Sequence, residues 1–272
     1  MAKYPAHEPV YEVARLFRQR CLTEGASLLW PERRVWTSSN IDTLLDAFME
    51  HPDTSKGTFI DKWERQLADK PDDVHRLAAD ALAFYYLFPS NIGGQTKVAR
   101  VRAVLSWRFA DNLPDLSSLE RAYHAGGIGH AGLHYGTAQP HQIAYYLTLG
   151  RRITDSQIDA GNVDQFRHVA DAVRQDVPQS AGARNIAMHL LFPERFERIA
   201  SDGHKHRIVS AFADRSEGER DVDDALLSIR RSFEQEYGPT FDFYDVEEVR
   251  NLWQPTGSCL LRLRSRARST TR

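Results

Sequence analysis

Residues 189–212 read HLLFPERFERIASDGHKHRIVSAF, and residues 85–107 read YYLFPSNIGGQTKVARVRAVLSW. Each runs from an apolar helical segment through Leu-Phe-Pro into a polar turn. Each then restarts a helix at a cationic cluster, Lys97 and Arg100 in one, Lys205 and Arg207 in the other. A proline expels the preceding residue from helical geometry, so Pro89 and Pro193 read as helix stops. Leu87, Phe88, Leu191 and Phe192 read as core. The pattern predicts two helix–turn–helix-like units. Cations at a helix start oppose the dipole, so the basic restarts predict an anion at these ends, such as a nucleic-acid phosphate. Thr96, Lys97, Arg100, His204, Lys205 and Arg207 are the residues expected to meet it.

Helical periodicity extends outward in both directions. PVYEVARLFRQRCL puts Val10, Val13, Leu16 and Phe17 on one stripe, and TSSNIDTLLDAFMEH does the same with Ile41, Leu44, Leu45 and Phe48 behind Ser/Asn caps. SKGTFIDKWERQLAD and DDVHRLAADALAFYYLF follow, then VARVRAVLSW and LSSLERAYHAG. Beyond residue 138 come HQIAYYLTLGRR, DQFRHVADAVRQD, SAGARNIAMHLLF, HKHRIVSAFAD and DVDDALLSIRRSFEQEYG, and TFDFYDVEEVRNLWQP closes the pattern. Alternating strand patterns are absent. The expected class is mainly α, multi-helix, with two helical lobes. GGIGHAGLHYGTAQPH, with five glycines between 126 and 136, is the natural joint. The expected divisions are an N-terminal lobe at 1–125, a C-terminal lobe at 126–257 and a basic, disordered tail at 258–272.

With 272 residues the chain can bury a substantial core. No apolar run approaches the about 18–20 residues of a membrane span, and MAKYPAHEPVYEV lacks a signal-peptide core. Two cysteines, Cys21 and Cys259, give neither a zinc ribbon nor a disulfide framework. A reduced, cytoplasmic protein is expected. The net charge of −2 is uneven: residues 260–272 hold five basic and no acidic residues, which leaves 30 basic and 37 acidic elsewhere. An acidic body cannot coat a long run of phosphates, so any DNA contact must be local.

Catalytic motifs are sparse. GGQTK at 93–97 lacks the P-loop spacing and a preceding strand, which excludes ATP hydrolysis but leaves a phosphate-binding turn. His124, His130, His134 and His141 invite a metal reading, but the glycines between them argue against a shared helix face and no acidic residue joins them. No metal or cofactor is expected. Asp53 with Lys56, and Asp202 with Lys205, are fragments of a metal-nuclease motif without its strands. Arg184 and His189 in RNIAMH match the loose pattern of helical HEPN-type ribonucleases, the catalytic alternative. That pattern is cheap in a chain with 11 histidines, and it recurs at Arg198 and His204.

LLWPERRVWTSSNIDTL, LFPSNIGGQTK, RNIAMHLLFPERFERIASDGHKHRIVSAF and FDFYDVEEVRNLWQ together resemble the N-terminal region of McrB-like AAA+ proteins of restriction systems. The resemblance runs from about residue 12 to 255. It implies target recognition or assembly beside an AAA+ motor and a partner nuclease, not catalysis, and the motor's P-loop is missing from this chain. The expected function is a non-catalytic DNA target-recognition or assembly module of a restriction or antiviral defence system. The alternatives are the ribonuclease and a structural scaffold that docks on a motor or nuclease subunit.

Overall fold

The structure, a computed structural model, describes residues 5–254; the tail at 258–272 and Cys259 lie outside them. Thirteen α-helices follow in order: α1 (Glu8–Leu16), α2 (Ser38–Leu45), α3 (Phe59–Leu67), α4 (Asp72–Tyr85), α5 (Gly94–Phe109), α6 (Ser117–His124), α7 (Leu133–Thr137), α8 (Gln139–Ser156), α9 (Val163–Asp176), α10 (Ala181–Leu191), α11 (Asp202–Ala211), α12 (Val222–Tyr237) and α13 (Glu247–Trp253). The described residues contain no strand, only one isolated parallel bridge between Pro89 and Gly129. The chain is mainly α, as the periodicity predicts. No described helix is long and apolar enough to cross a membrane.

Local chemistry starts these helices, and at α2 the cap is Thr37, whose hydroxyl accepts the Asn40 amide, in place of the Ser or Asn that the sequence suggests. Thr58 and Asp61 form a reciprocal capping box on α3. Asn162, Ser201 and Asp221 accept amide hydrogens at the starts of α9, α11 and α12. Helix α4 buries 11 of its 14 residues, and its alanines let neighbouring backbones approach closely, which makes it the central rod. The Leu-Phe-Pro stops behave as read. Leu87, Phe88, Leu191 and Phe192 are all core, α5 restarts at Gly94, and α11 restarts at Asp202.

The apolar core forms two clusters. The larger draws on residues from Val10 to Ala200; the smaller runs from Ile199 to Trp253 and uses α11, α12 and α13. The change of cluster therefore falls at residues 199–200, not at the glycine-rich segment. That segment is a strap stitched to the first Leu-Phe-Pro turn. The Gly129 amide donates to the Phe88 carbonyl at 3.2 Å, and the Ser90 amide donates to the Gly129 carbonyl at 2.9 Å. A Cβ on Gly127 would lie 2.2 Å from the Pro89 carbonyl oxygen, so only glycine permits the crossing. Arg198, just after the second Leu-Phe-Pro turn, donates to the Ile128 carbonyl at 2.9 Å. The two repeated turns thus converge on the same strap.

Candidate functional site

Lys205 sits near the start of α11 and is buried. Its ammonium group donates to Asp223 Oδ1 at 2.6 Å and to Asn185 Oδ1 at 2.8 Å. Arg184 on α10 donates to the other oxygen of the same carboxylate at 2.5 Å, and to Asp171 Oδ1 at 2.8 Å. Asn185 in turn donates to Asp202 and to the Ala200 carbonyl. Burial alone would raise the Asp223 pKa, but Lys205 and Arg184 outweigh it and hold the carboxyl at about 2. Burial lowers the Lys205 pKa while Asp223 opposes the shift. The cation at the helix start is thus compensated inside the protein, and no external phosphate is needed to explain it. Lys205 does not face an anion from solvent, as the sequence led one to expect.

Lys97 is also buried, near the start of α5. Its ammonium group has no hydrogen-bond partner and sits 5.6 Å from the centre of the Tyr123 ring. Burial lowers its pKa to about 8. A ring face offsets part of the desolvation of a cation but offers no hydrogen bond. Of the expected anion-binding set, Thr96, Arg100 and Arg207 are exposed and His204 is half-buried. Arg100 donates to the Tyr86 hydroxyl at 3.0 Å and lies over that ring. Thr96 and Arg100 stand on α5; His204, Lys205 and Arg207 stand on α11, against the other apolar cluster.

Arg184 and His189 do not form a joint site. Arg184 is committed to Asp223 and Asp171. His189 is fully enclosed, with its Nδ1 2.8 Å from the Phe196 carbonyl and its Nε2 2.9 Å from the Tyr11 hydroxyl. A carbonyl only accepts, so the proton is on Nδ1 and the Tyr11 hydroxyl donates to Nε2. Burial drives the His189 pKa down to about 3. A ring so enclosed cannot reach a substrate phosphate. Among the described residues, no group of three or more His, Cys, Asp or Glu is arranged to hold a metal ion.

A concave feature lies elsewhere, between the two turns and the start of α11. A cavity of about 600 Å³ opens between the glycine strap and the start of α11. Ser90, Ile128, His130, Arg198, His204 and Tyr244 are among its walls. Arg198 fixes one side. It donates to Asp242 at 2.6 Å and to Asp245 at 3.2 Å, besides the strap carbonyl. His204 Nδ1 lies 3.0 Å from the Tyr244 hydroxyl, and both rings pack against Trp253. Sequence reasoning found His204 but missed Arg198 as a wall and Tyr244 altogether. The clustered aromatics of FDFYDVEEVRNLW were the available signal; their meeting with residue 204 is a long-range contact that no local pattern encodes.

Comparison with protein-family models, with curated proteins and with solved structures finds no match. Fold and site therefore define the class: a multi-helix, all-α protein with a cavity where its two apolar clusters meet.

Proposed function

We propose that the chain is a non-catalytic DNA target-recognition or assembly module of a McrB-like restriction or defence system, acting in the cytoplasm beside an AAA+ motor and a nuclease subunit. One observation carries this reading. Ser90, Arg198, Ser201, His204, Tyr244 and Gln254 come from three of the four phrases that bear the resemblance, and all six line the same cavity. Phrases up to about 160 residues apart that meet on one concave surface are economically explained by recognition. The enclosure of His189 and the internal pairing of Arg184 argue against the ribonuclease alternative. Arg100 and Arg207 are the exposed cations of the expected set, with Thr96 beside the first. Two cations on an acidic body give weak, local contact with a duplex.

The test is binding of the chain to plain and methylated duplexes over a salt series, followed by fluorescence anisotropy. Binding should fall with about the second power of salt concentration. Replacing both Arg100 and Arg207 by Ala should remove most of that dependence without lowering the melting temperature. Absence of binding to either duplex at low salt would leave the scaffold as the surviving reading.

A further inference from the structure

We infer that the cavity between the glycine strap and α11 binds a small planar anion of the nucleotide class, with a phosphate at the strap and a ring against Tyr244 and His204. The inference rests on the preceding reading only in taking this cavity as the recognising surface.

Charge comes first. The walls contain His7, His130, His204 and Arg198 and not one Asp or Glu. The open pocket around Lys205 differs, because there Asp171, Asp202, Asp221 and Asp223 answer its cations. The carboxylates that neutralise Arg198, Asp242 and Asp245, are not among the walls of the cavity. The His7 pKa is lowered by burial, then by Arg198 and by the buried Lys97. Arg198 is thus the one permanently charged side chain of the wall, and a ligand there meets hydrogen-bond donors without a carboxylate among the lining residues.

Donors come second. His130 Nδ1 accepts the Gly132 amide at 3.0 Å, so the neutral ring carries its proton on Nε2 and is a donor without being charged. The Ser90 hydroxyl makes no hydrogen bond to another described residue. The amides of Ile128, His130 and Ala131 enter none of the backbone hydrogen bonds of the described residues. Ser201, the cap of α11, also lines the cavity, which brings the positive end of that helix dipole to the wall.

The opposite wall suits a ring. Tyr244 and Trp253 meet edge to face at 5.3 Å, and His204 packs on both, so the aromatic surface is held rigid. Ile128, Ala131 and Ala200 add apolar area. A cavity of about 600 Å³ is within the range that encloses small ligands and is too small for a duplex. Phosphate-type donors on the strap and at the start of α11, with the aromatic wall beside them, match a nucleoside monophosphate. The source could be a free nucleotide or a nucleotide of a single strand.

Isothermal titration calorimetry of the full chain with AMP, GMP, adenosine and inorganic phosphate tests this. AMP or GMP should bind at least tenfold tighter than both adenosine and phosphate. Ser90→Ala and His130→Ala are both exposed changes; each should weaken AMP binding at least threefold with an unchanged melting temperature. Equal affinity for AMP and adenosine, or for AMP and phosphate, overturns the inference, as does unaltered AMP binding in both variants or absence of heat at millimolar nucleotide. Displacement of AMP by a single-stranded oligonucleotide supports the site with nucleic acid as the source; failure to displace supports it with free nucleotide as the source. A chain that binds AMP but no duplex overturns the DNA reading alone, and one that binds duplex but no AMP overturns this inference alone.

Discussion

His189 and Arg184 are five residues apart, which on a helix separates their directions by about 140°. Arg184 accordingly turns toward Asp171 and Asp223, and His189 toward Tyr11 and Phe196. Folding holds His189 neutral with a pKa of about 3, against 6.5 for the ordinary ring. Below the ordinary value the unfolded chain takes up a proton that the folded chain refuses, so stability falls as pH drops from about 6.5 toward 3. This one group should contribute a slope approaching about 1.4 kcal/mol per pH unit below pH 6. Urea unfolding of the wild type and of His189→Gln at pH 7, 6 and 5 should give less pH dependence in the variant, by about that slope. Equal slopes would mean that His189 titrates in the folded state as freely as in the unfolded one. The neighbouring network makes a second prediction at this scale. Lys205→Ala removes half of the charge that compensates Asp223 and should destabilise the protein by about 3–5 kcal/mol, whereas the exposed Arg207→Ala should stay within about 0.5 kcal/mol. Both are read from denaturant midpoints, and a neutral Lys205→Ala would contradict the buried pairing.

Buried carboxylates also organise whole segments. Asp80 on α4 is fully buried and accepts from Ser27 Oγ, the Leu28 and Leu29 amides and Trp36 Nε1. Two donors fall on each oxygen, so Asp80→Asn would set an amide NH₂ against two of them and should cost about 2–4 kcal/mol; an undiminished melting temperature would refute this. The glycine strap is an element of the same kind. Gly127→Ala drives a Cβ onto the Pro89 carbonyl and should destabilise by more than about 2 kcal/mol. A Cβ at Gly136, in α7, meets nothing within 4 Å, so Gly136→Ala should be neutral or slightly stabilising. Five glycines in eleven residues suggest a flexible joint, yet one of them, Gly127, is there because backbone crosses backbone. Composition alone does not separate these cases, since both require the missing side chain.

Over the whole molecule, the two apolar clusters are joined by polar bonds as well as by chain. Arg198 ties the strap to Asp242 and Asp245, while within the smaller cluster Arg230 binds Glu197 and the Phe241 carbonyl. The smaller cluster has ten buried apolar residues, too few to stand on hydrophobic burial alone. Asp242→Ala leaves the Arg198 charge poorly compensated at the seam. In hydrogen exchange, α12 and α13 of that variant should lose protection ahead of α4 and α8. Simultaneous loss in all four helices would mean that the clusters unfold as one unit.

The sequence by itself determined most of the helices, the two Leu-Phe-Pro stops and the core residues that precede them; it missed α7 inside the glycine-rich stretch and put the cap of α2 on Ser or Asn where Thr37 supplies it. Periodicity and proline geometry are local, and a chain with no alternating pattern has no other way to bury its apolar residues. Only the tertiary structure decided the destination of the charges. Lys205 and Arg207 lie two positions apart on one helix with the same formal charge; one is spent on Asp223 and Asn185, and the other is exposed. Lys97 and Arg100 diverge too, Lys97 buried against the Tyr123 ring and Arg100 exposed beside Tyr86. Whether a cation faces water or a carboxylate depends on which helix packs across it, here α12 and α10 over α11, and such contacts join residues tens of positions apart. The cavity follows from the same cause, because its walls exist only once the strap, Arg198 and Tyr244 have been brought together by folding.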